Sequence, residues 1–177
     1  MKLRADLSRV VMEDMKKREA ENDIAYLHGA ERVEVAHVEQ LQFKARKREY
    51  EFIVDEPLDR GGTGRGPNPL AYFIGGAAAC LATQFLRVII TRSLKVDTFN
   101  LTAIGRFERK LGEGFSEIIY EVNLTGEEDR EAIVALSKRA QLQCYAHNTL
   151  SKAGVNLVTN VVWNGQPVGP RGLAPTP

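Results

Sequence analysis

Apolar residues recur every four positions at the start of the chain, at Leu3, Leu7, Val11 and Met15, among charged neighbours. That spacing predicts a helix from roughly Leu3 to Glu21, with His28-Gly29-Ala30 as the turn that ends the region. The period then drops to two. Val33, Val35, Leu41, Phe43 and Ala45 predict extended chain, with a break near Val38–Gln40. Tyr50, Phe52 and Val54 alternate with Glu49, Glu51 and Ile53, which predicts a strand. Pro57 to Pro67 reads as a loop. Asn68 suits an N-cap and Pro69 the first position of a helix that the following apolar run carries to about Ser93. Phe99, Leu101, Ala103, Gly105 and Phe107 alternate with polar or outward positions. Ile118, Tyr120, Val122 and Leu124 repeat the pattern after the turn "KLGEGF", predicting a β-hairpin. "EEDREAIVALSKRAQLQCYAHNTLSKAG" reads as one helix, acidic at its start, with Lys152 near its end and Gly154 closing it. Val155, Leu157, Thr159, Val161 and Trp163 predict a last strand. The tail from Gln166 is proline-rich and aperiodic, so it is expected to be extended or disordered.

This order predicts an α+β fold with mostly antiparallel sheets packed around a long buried central helix. Three segments follow: an N-terminal helical extension over 1–30, a main domain over 31–165 and a Pro/Gly-rich tail over 166–177. No charge falls between Pro69 and Leu86, a length close to that of a membrane span. Gly75, Gly76, Ala77, Ala78 and Ala79 are only weakly hydrophobic, Gln84 and Arg87 follow in the same helix, and alternating strands come next. The buried centre of a soluble fold is the expectation, with no membrane partner. Small residues at four-residue spacing, Gly75/Ala79 and Gly76/Cys80, invite close approach by another helix. A second copy of the chain is the simplest cover, so a homodimer is expected.

The 177 residues carry a net charge of +1, which leaves no global field to draw in nucleic acid or membrane. Lys44, Arg46, Lys47 and Arg48 form a basic cluster without an aromatic ladder. It reads as a solvated strand edge, and a nucleic-acid patch there is a distant alternative. The N-terminus has no apolar signal core, so a reducing cytoplasmic setting is expected, in which a permanent disulfide between the two cysteines is not. Cys144-x-x-His147 with one further cysteine is a weak zinc signal, and no metal is expected.

Helical spacing sets Phe73, Gly76, Ala77, Gln84 and Arg87 on the face of Cys80, and Ile133, Leu136, Ala140 and His147 on the face of Cys144. A free cysteine also serves as a small hydrophobe. The residues alone leave both roles open, and His147 reads as a packing or hydrogen-bonding side chain.

"DEPLDRGGTGRGPNPLAYFIGGAAAC" followed by "AQLQCYAHNTL" resembles the signature of the OsmC/Ohr family, the osmotically inducible and organic-hydroperoxide-resistance proteins. The likeness covers about Val33 to Gly165. It implies an OsmC-like fold in an intertwined homodimer, and a thiol peroxidase acting on organic hydroperoxides. On that resemblance Cys80 is the peroxidatic thiolate and Cys144 the resolving cysteine. A dithiol reductant restores both, and no cofactor is implied. A cation must favour the thiolate. Arg60 and Arg65 in the loop are the candidates, since Arg87 lies roughly 10 Å further along the helix. Tyr72, Phe73, Leu81 and Phe85 would form an apolar mouth for the substrate. Two positions differ from the usual pattern. The loop has Gly64 and Arg65 where peroxidatic members carry a glutamate. Tyr145 replaces the proline common after the second cysteine, which predicts a helix continuing through Cys144. The alternative function is a non-catalytic OsmC-like dimer that binds a small apolar ligand, its cysteines being structural.

Overall fold

The computed structural model describes residues 6–20 and 31–169. The turn expected at His28–Ala30, the start of the first helix at Leu3 and the tail beyond Gly169 lie outside these residues. The chain divides into two compact units, residues 17–75 and residues 1–16 with 76–177.

The first unit is built on a three-stranded antiparallel sheet of β1 (Glu34–Glu39), β2 (Gln42–Lys47) and β3 (Tyr50–Val54). The expected break near Val38 is a register shift between His37 and Glu39, beside a turn in which Gln40 is left-handed. Val35, Ala45 and Phe52 align across one row of the sheet, and His37, Phe43 and Val54 across the next. The alternation in the sequence is therefore a single face.

Beyond β3, Asp55 is wholly buried and shapes the glycine-rich loop. Its carboxylate accepts hydrogen bonds from the backbone N–H of Glu56 (2.8 Å), Thr63 (3.0 Å) and Arg65 (2.9 Å), the Thr63 hydroxyl (2.6 Å) and the Gln42 amide (3.2 Å). Burial alone would raise this carboxyl. The Thr63 hydroxyl, the two loop N–H groups and Gln42 together outweigh burial and hold it well below the usual carboxylate range. The glycines allow the wrap. A Cβ on Gly62 would lie 1.8 Å from the Glu56 carbonyl oxygen, and one on Gly66 would lie 2.6 Å from that of Ile53. Asn68 then caps the long helix α2 (Pro69–Thr91), its side-chain oxygen accepting from Ala71 N–H at 2.8 Å. Tyr72 fixes the first turns, donating its hydroxyl to the Ile53 carbonyl at 2.6 Å and packing on Phe52.

The second unit holds α1 up to residue 16 of Leu7–Ala20, the rest of α2 and a four-stranded sheet. Its strands are β4 (Val96–Phe107), β5 (Phe115–Gly126), β6 (Asn156–Trp163) and β7 (Gln166–Val168). Every pairing is antiparallel except β5 with β6. That parallel pair needs a crossover, which the intervening helices supply. Phe99/Leu124/Trp163, Leu101/Val122/Val161 and Ala103/Tyr120/Thr159 form rows on one face. Phe85 of α2 meets Phe99 in these rows, with ring centroids 5.7 Å apart. The start of the tail is thus ordered as β7.

The single helix expected over 127–154 is two: α3 (Arg130–Gln143) and α4 (Tyr145–Lys152), with Cys144 extended between them at φ −84°, ψ 112°. Periodicity does not register this break because the spacing of Ile133, Leu136, Ala140, Cys144 and His147 suits one continuous helix equally well. Asp129 caps α3 by accepting from Ala132 N–H at 2.7 Å. By length and composition α2 is the one helix among the described residues able to cross a membrane. In its own unit Ala77, Leu81, Phe85, Val88 and Ile89 are buried.

Gly62→Ala should lower the stability of the folded chain by more than about 2 kcal/mol, because the backbone of Glu56 cannot yield as a side chain would. Gly75→Ala meets nothing within 4 Å and should be neutral or mildly stabilising in the isolated chain. Denaturant titration of the two variants reads the difference, and equal stabilities would refute it.

Candidate functional site

The second unit brings together two sulfurs that lie 64 residues apart in sequence. The Cys144 thiol donates to Cys80 Sγ at 3.4 Å. Both cysteines are free, Cys144 fully buried and Cys80 half-buried. A disulfide needs about 2.05 Å, so a short approach of the sulfurs would join them.

The break at Cys144 makes this placement possible. The last turn of α3 tightens, with Cys144 N–H donating to the Gln141 carbonyl at 3.2 Å. Asn148 reaches back to the Leu142 carbonyl at 2.9 Å and satisfies an acceptor that the helix end exposes. Cys144 then serves as N-cap of α4, its sulfur accepting the His147 N–H at 3.4 Å. These contacts end α3 without a proline after the cysteine. Tyr145 opens α4 instead of extending α3, so the helix does not continue through Cys144 as expected.

Burial, aided by the adjacent Cys80 and against the opposing pull of the His147 N–H, pushes the Cys144 thiol up to about 11. Cys144 is a thiol at neutral pH. Burial also lowers the His147 imidazole, so its ring is neutral there. Tyr120, wholly buried on β5, faces this ring with centroids 6.5 Å apart. Burial, with smaller contributions from charge on Cys144 and Cys80, raises the Tyr120 hydroxyl to about 12, which puts it within electrostatic reach of both sulfurs. The Tyr120 hydroxyl and both His147 ring nitrogens are buried without a hydrogen-bond partner. An unpaired buried donor costs about 1–3 kcal/mol, so a pocket that keeps several beside two sulfurs calls for a reason.

The other expected site residues are distributed as follows. Leu81 and Phe85 are fully buried core. Phe73 is about half exposed, at 48%. The Tyr72 hydroxyl is held by Ile53, as above. Arg60 ends a short 3-10 turn and is exposed. Arg65 projects from the loop, its guanidinium paired with Glu39 at 3.0 Å. The structure thus supplies Arg65 with a carboxylate from β1, although the loop itself has no glutamate at that point. Arg87 is occupied by Asp14 of α1 at 2.9 Å. Among the described residues no group of His, Cys, Asp and Glu is arranged to hold a metal ion.

The family model for OsmC-like protein matches residues 62–160, over half the chain, and its span includes the glycine loop from Gly62 and both cysteines. The chain belongs to the OsmC-like protein family. No curated protein matches the sequence. Solved structures share the fold at low identity. An OsmC-like protein from Mycoplasma pneumoniae is 18% identical, with a TM-score of 0.69 over 76% of this chain and 97% of that one. An organic hydroperoxide resistance protein from Elizabethkingia anophelis, with thiocyanate bound, is 21% identical, with a TM-score of 0.63 over 77% and 98%. A putative organic hydroperoxide resistance protein from Vibrio cholerae, with captopril in one active site, is 19% identical, with a TM-score of 0.57 over 80% and 97%. This OsmC-like chain therefore has the α+β fold with antiparallel sheets and a long central helix that its sequence predicts.

Sequence reasoning passed over Tyr120 and Asp55. The signal for Tyr120 is the one hydroxyl on an otherwise aliphatic row, Ile118, Val122 and Leu124. The signal for Asp55 is an acid at the strand end, directly before a loop of closely spaced glycines.

Raising the Cys144 thiol in the folded state has a thermodynamic consequence. The folded chain binds this proton more tightly than the unfolded chain, whose thiol titrates near about 8.5. The stabilisation is complete below about 8.5 and is lost as pH rises toward about 11. Denaturant titrations of the reduced protein between those values should show falling stability. The fall should be shallower in Cys144→Ser, and identical slopes would refute the assignment.

Proposed function

We propose that this OsmC-like chain is a thiol-dependent peroxidase that reduces organic hydroperoxides, with Cys80 as the attacking thiolate and Cys144 as the resolving thiol. The observation that carries the reading is the 3.4 Å separation of two free sulfurs held by separate helices. A structural cysteine needs no such partner. The Cys80 sulfur attacks the distal peroxide oxygen, the O–O bond breaks and the alkoxide leaves with the electron pair, taking a proton to become the alcohol. Cys80 is then a sulfenic acid. Cys144 attacks that sulfur, the S–O bond breaks, and hydroxide leaves as water with the Cys144 proton. An external dithiol is oxidised to its disulfide as it returns Cys80 and Cys144 to thiols.

The neighbours named organic hydroperoxide resistance proteins support this substrate class. The high proton affinity of Cys144 suits the second role, since it keeps that sulfur from competing for peroxide.

The test is consumption of cumene hydroperoxide with a dithiol reductant. The parent should turn over and Cys80→Ser should fall to background. Without the dithiol, Cys144→Ser should stop at a sulfenic acid on Cys80 after consuming one equivalent of peroxide. Parent turnover no faster than that of Cys80→Ser would overturn the peroxidase reading and favour a ligand-binding role.

The proposed assembly is a homodimer whose interface covers the exposed small-residue face of α2, Gly75, Gly76 and Ala79. Light scattering at micromolar concentration should give twice the 19.7 kDa chain mass. A well-behaved monomer would refute it.

A further inference from the structure

The inward rows of the β4–β5–β6 sheet are apolar except in one place. There Tyr120 of β5 and Thr159 of β6 stand side by side in the parallel ladder. Tyr120 is 0% exposed. Its hydroxyl, the Thr159 hydroxyl and both His147 nitrogens lie buried without a partner. The Tyr120 ring stands against His147, the His147 N–H holds Cys144 Sγ, and Cys144 Sγ touches Cys80 Sγ. A phenol thus stands one residue, His147, away from the sulfur pair, with its proton unused in the resting state.

We propose that the Tyr120 hydroxyl is a catalytic hydrogen-bond donor to the oxygen that Cys80 takes from a hydroperoxide. The inference rests on the peroxidase reading and adds a residue to it. In the resting protein this hydroxyl has no acceptor. In the first step the charge leaves with the alkoxide, and the transferred oxygen becomes the sulfenic hydroxyl. Negative charge builds on that oxygen as it departs as hydroxide during attack by Cys144. A donor already in position, in a site shielded from solvent, stabilises that charge with no reorganisation. The phenol must stay protonated to serve, and its burial beside two sulfurs ensures this by lifting it to about 12. His147, neutral and unpartnered, offers no competing acidic donor at neutral pH.

The idea sets stability against activity. A hydroxyl that served structure would be hydrogen-bonded, and its removal would destabilise the fold. Tyr120→Phe removes an unpartnered group and keeps the ring, so thermal unfolding of the reduced protein should occur at the parent temperature or above. Disulfide formation between Cys80 and Cys144 after cumene hydroperoxide should slow by about tenfold or more. Formation of Cys80 sulfenic acid, trapped with dimedone in the Cys144→Ser background, should keep the parent rate. Thr159→Val removes the neighbouring hydroxyl of the ladder and should leave both rates as they are. A parent-like rate of disulfide formation in Tyr120→Phe would overturn the proposal. A slowing that comes only with a fall in melting temperature, or that Thr159→Val reproduces, would also overturn it. A parent that forms no trapped sulfenic acid would instead remove the peroxidase reading itself, so the two failures are distinguishable.

Discussion

The sulfur pair depends on where one helix stops. If the backbone stayed helical from Arg130 to Lys152, Cys144 would keep its N–H inside the helical ladder and its sulfur would lie flat against the helix flank. Extending one residue frees that sulfur to cap the next helix and to meet Cys80. The cost of the break is a set of unpaired helix-end groups. Asn148 satisfies one, the tightened turn at Gln141 another, and the sulfur itself a third. A cysteine N-cap is a weak one compared with serine or aspartate. Its use here makes sense only if the sulfur must be presented rather than packed.

The glycine loop answers a similar problem in its own unit. A loop of this length without regular structure would be costly to hold in one conformation. The buried Asp55 carboxylate holds it by collecting three backbone N–H groups, a hydroxyl and an amide. Gly62 and Gly66 are there because the chain passes too close to the Glu56 and Ile53 carbonyls for any Cβ. The glycine content of the motif is therefore explained by backbone packing around one anion. With the Arg65 N–H committed to Asp55 and its guanidinium to Glu39, both the position and the direction of that side chain are fixed within the unit.

The strands and the long helix were legible because their signals are local and redundant. Alternation from Phe99 to Phe107 and from Ile118 to Leu124 lands in register, and Asn68-Pro69 starts α2 as capping rules require. The end of α2 came two residues before Ser93, which is left-handed and closes the helix. The parallel placement of β6 was not legible, because strand direction depends on how a crossover packs and not on periodicity. The break at Cys144 was hidden for a related reason. Asn148, which caps the severed end, is unremarkable in sequence and acts only because six residues span the gap to Leu142. Both cysteines were legible as candidates, but their juxtaposition was not, because it is a contact across 64 residues of sequence.

Local rules fail where they would be expected to hold most firmly, in the driest part of the protein. A buried tyrosine and histidine in a well-ordered core normally find partners, and the same fold pairs both carboxylate oxygens of Asp55. The contrast within one chain argues against loose construction. Polar groups left open around two touching sulfurs fit the proposed donor role of Tyr120, which gains an acceptor only once Cys80 carries an oxygen. Native structures concentrate such violations at functional positions and offset them elsewhere, here through the aliphatic rows that flank Tyr120. On the proposed reaction, the oxidised sulfur with its oxygen is the better-satisfied occupant of this site.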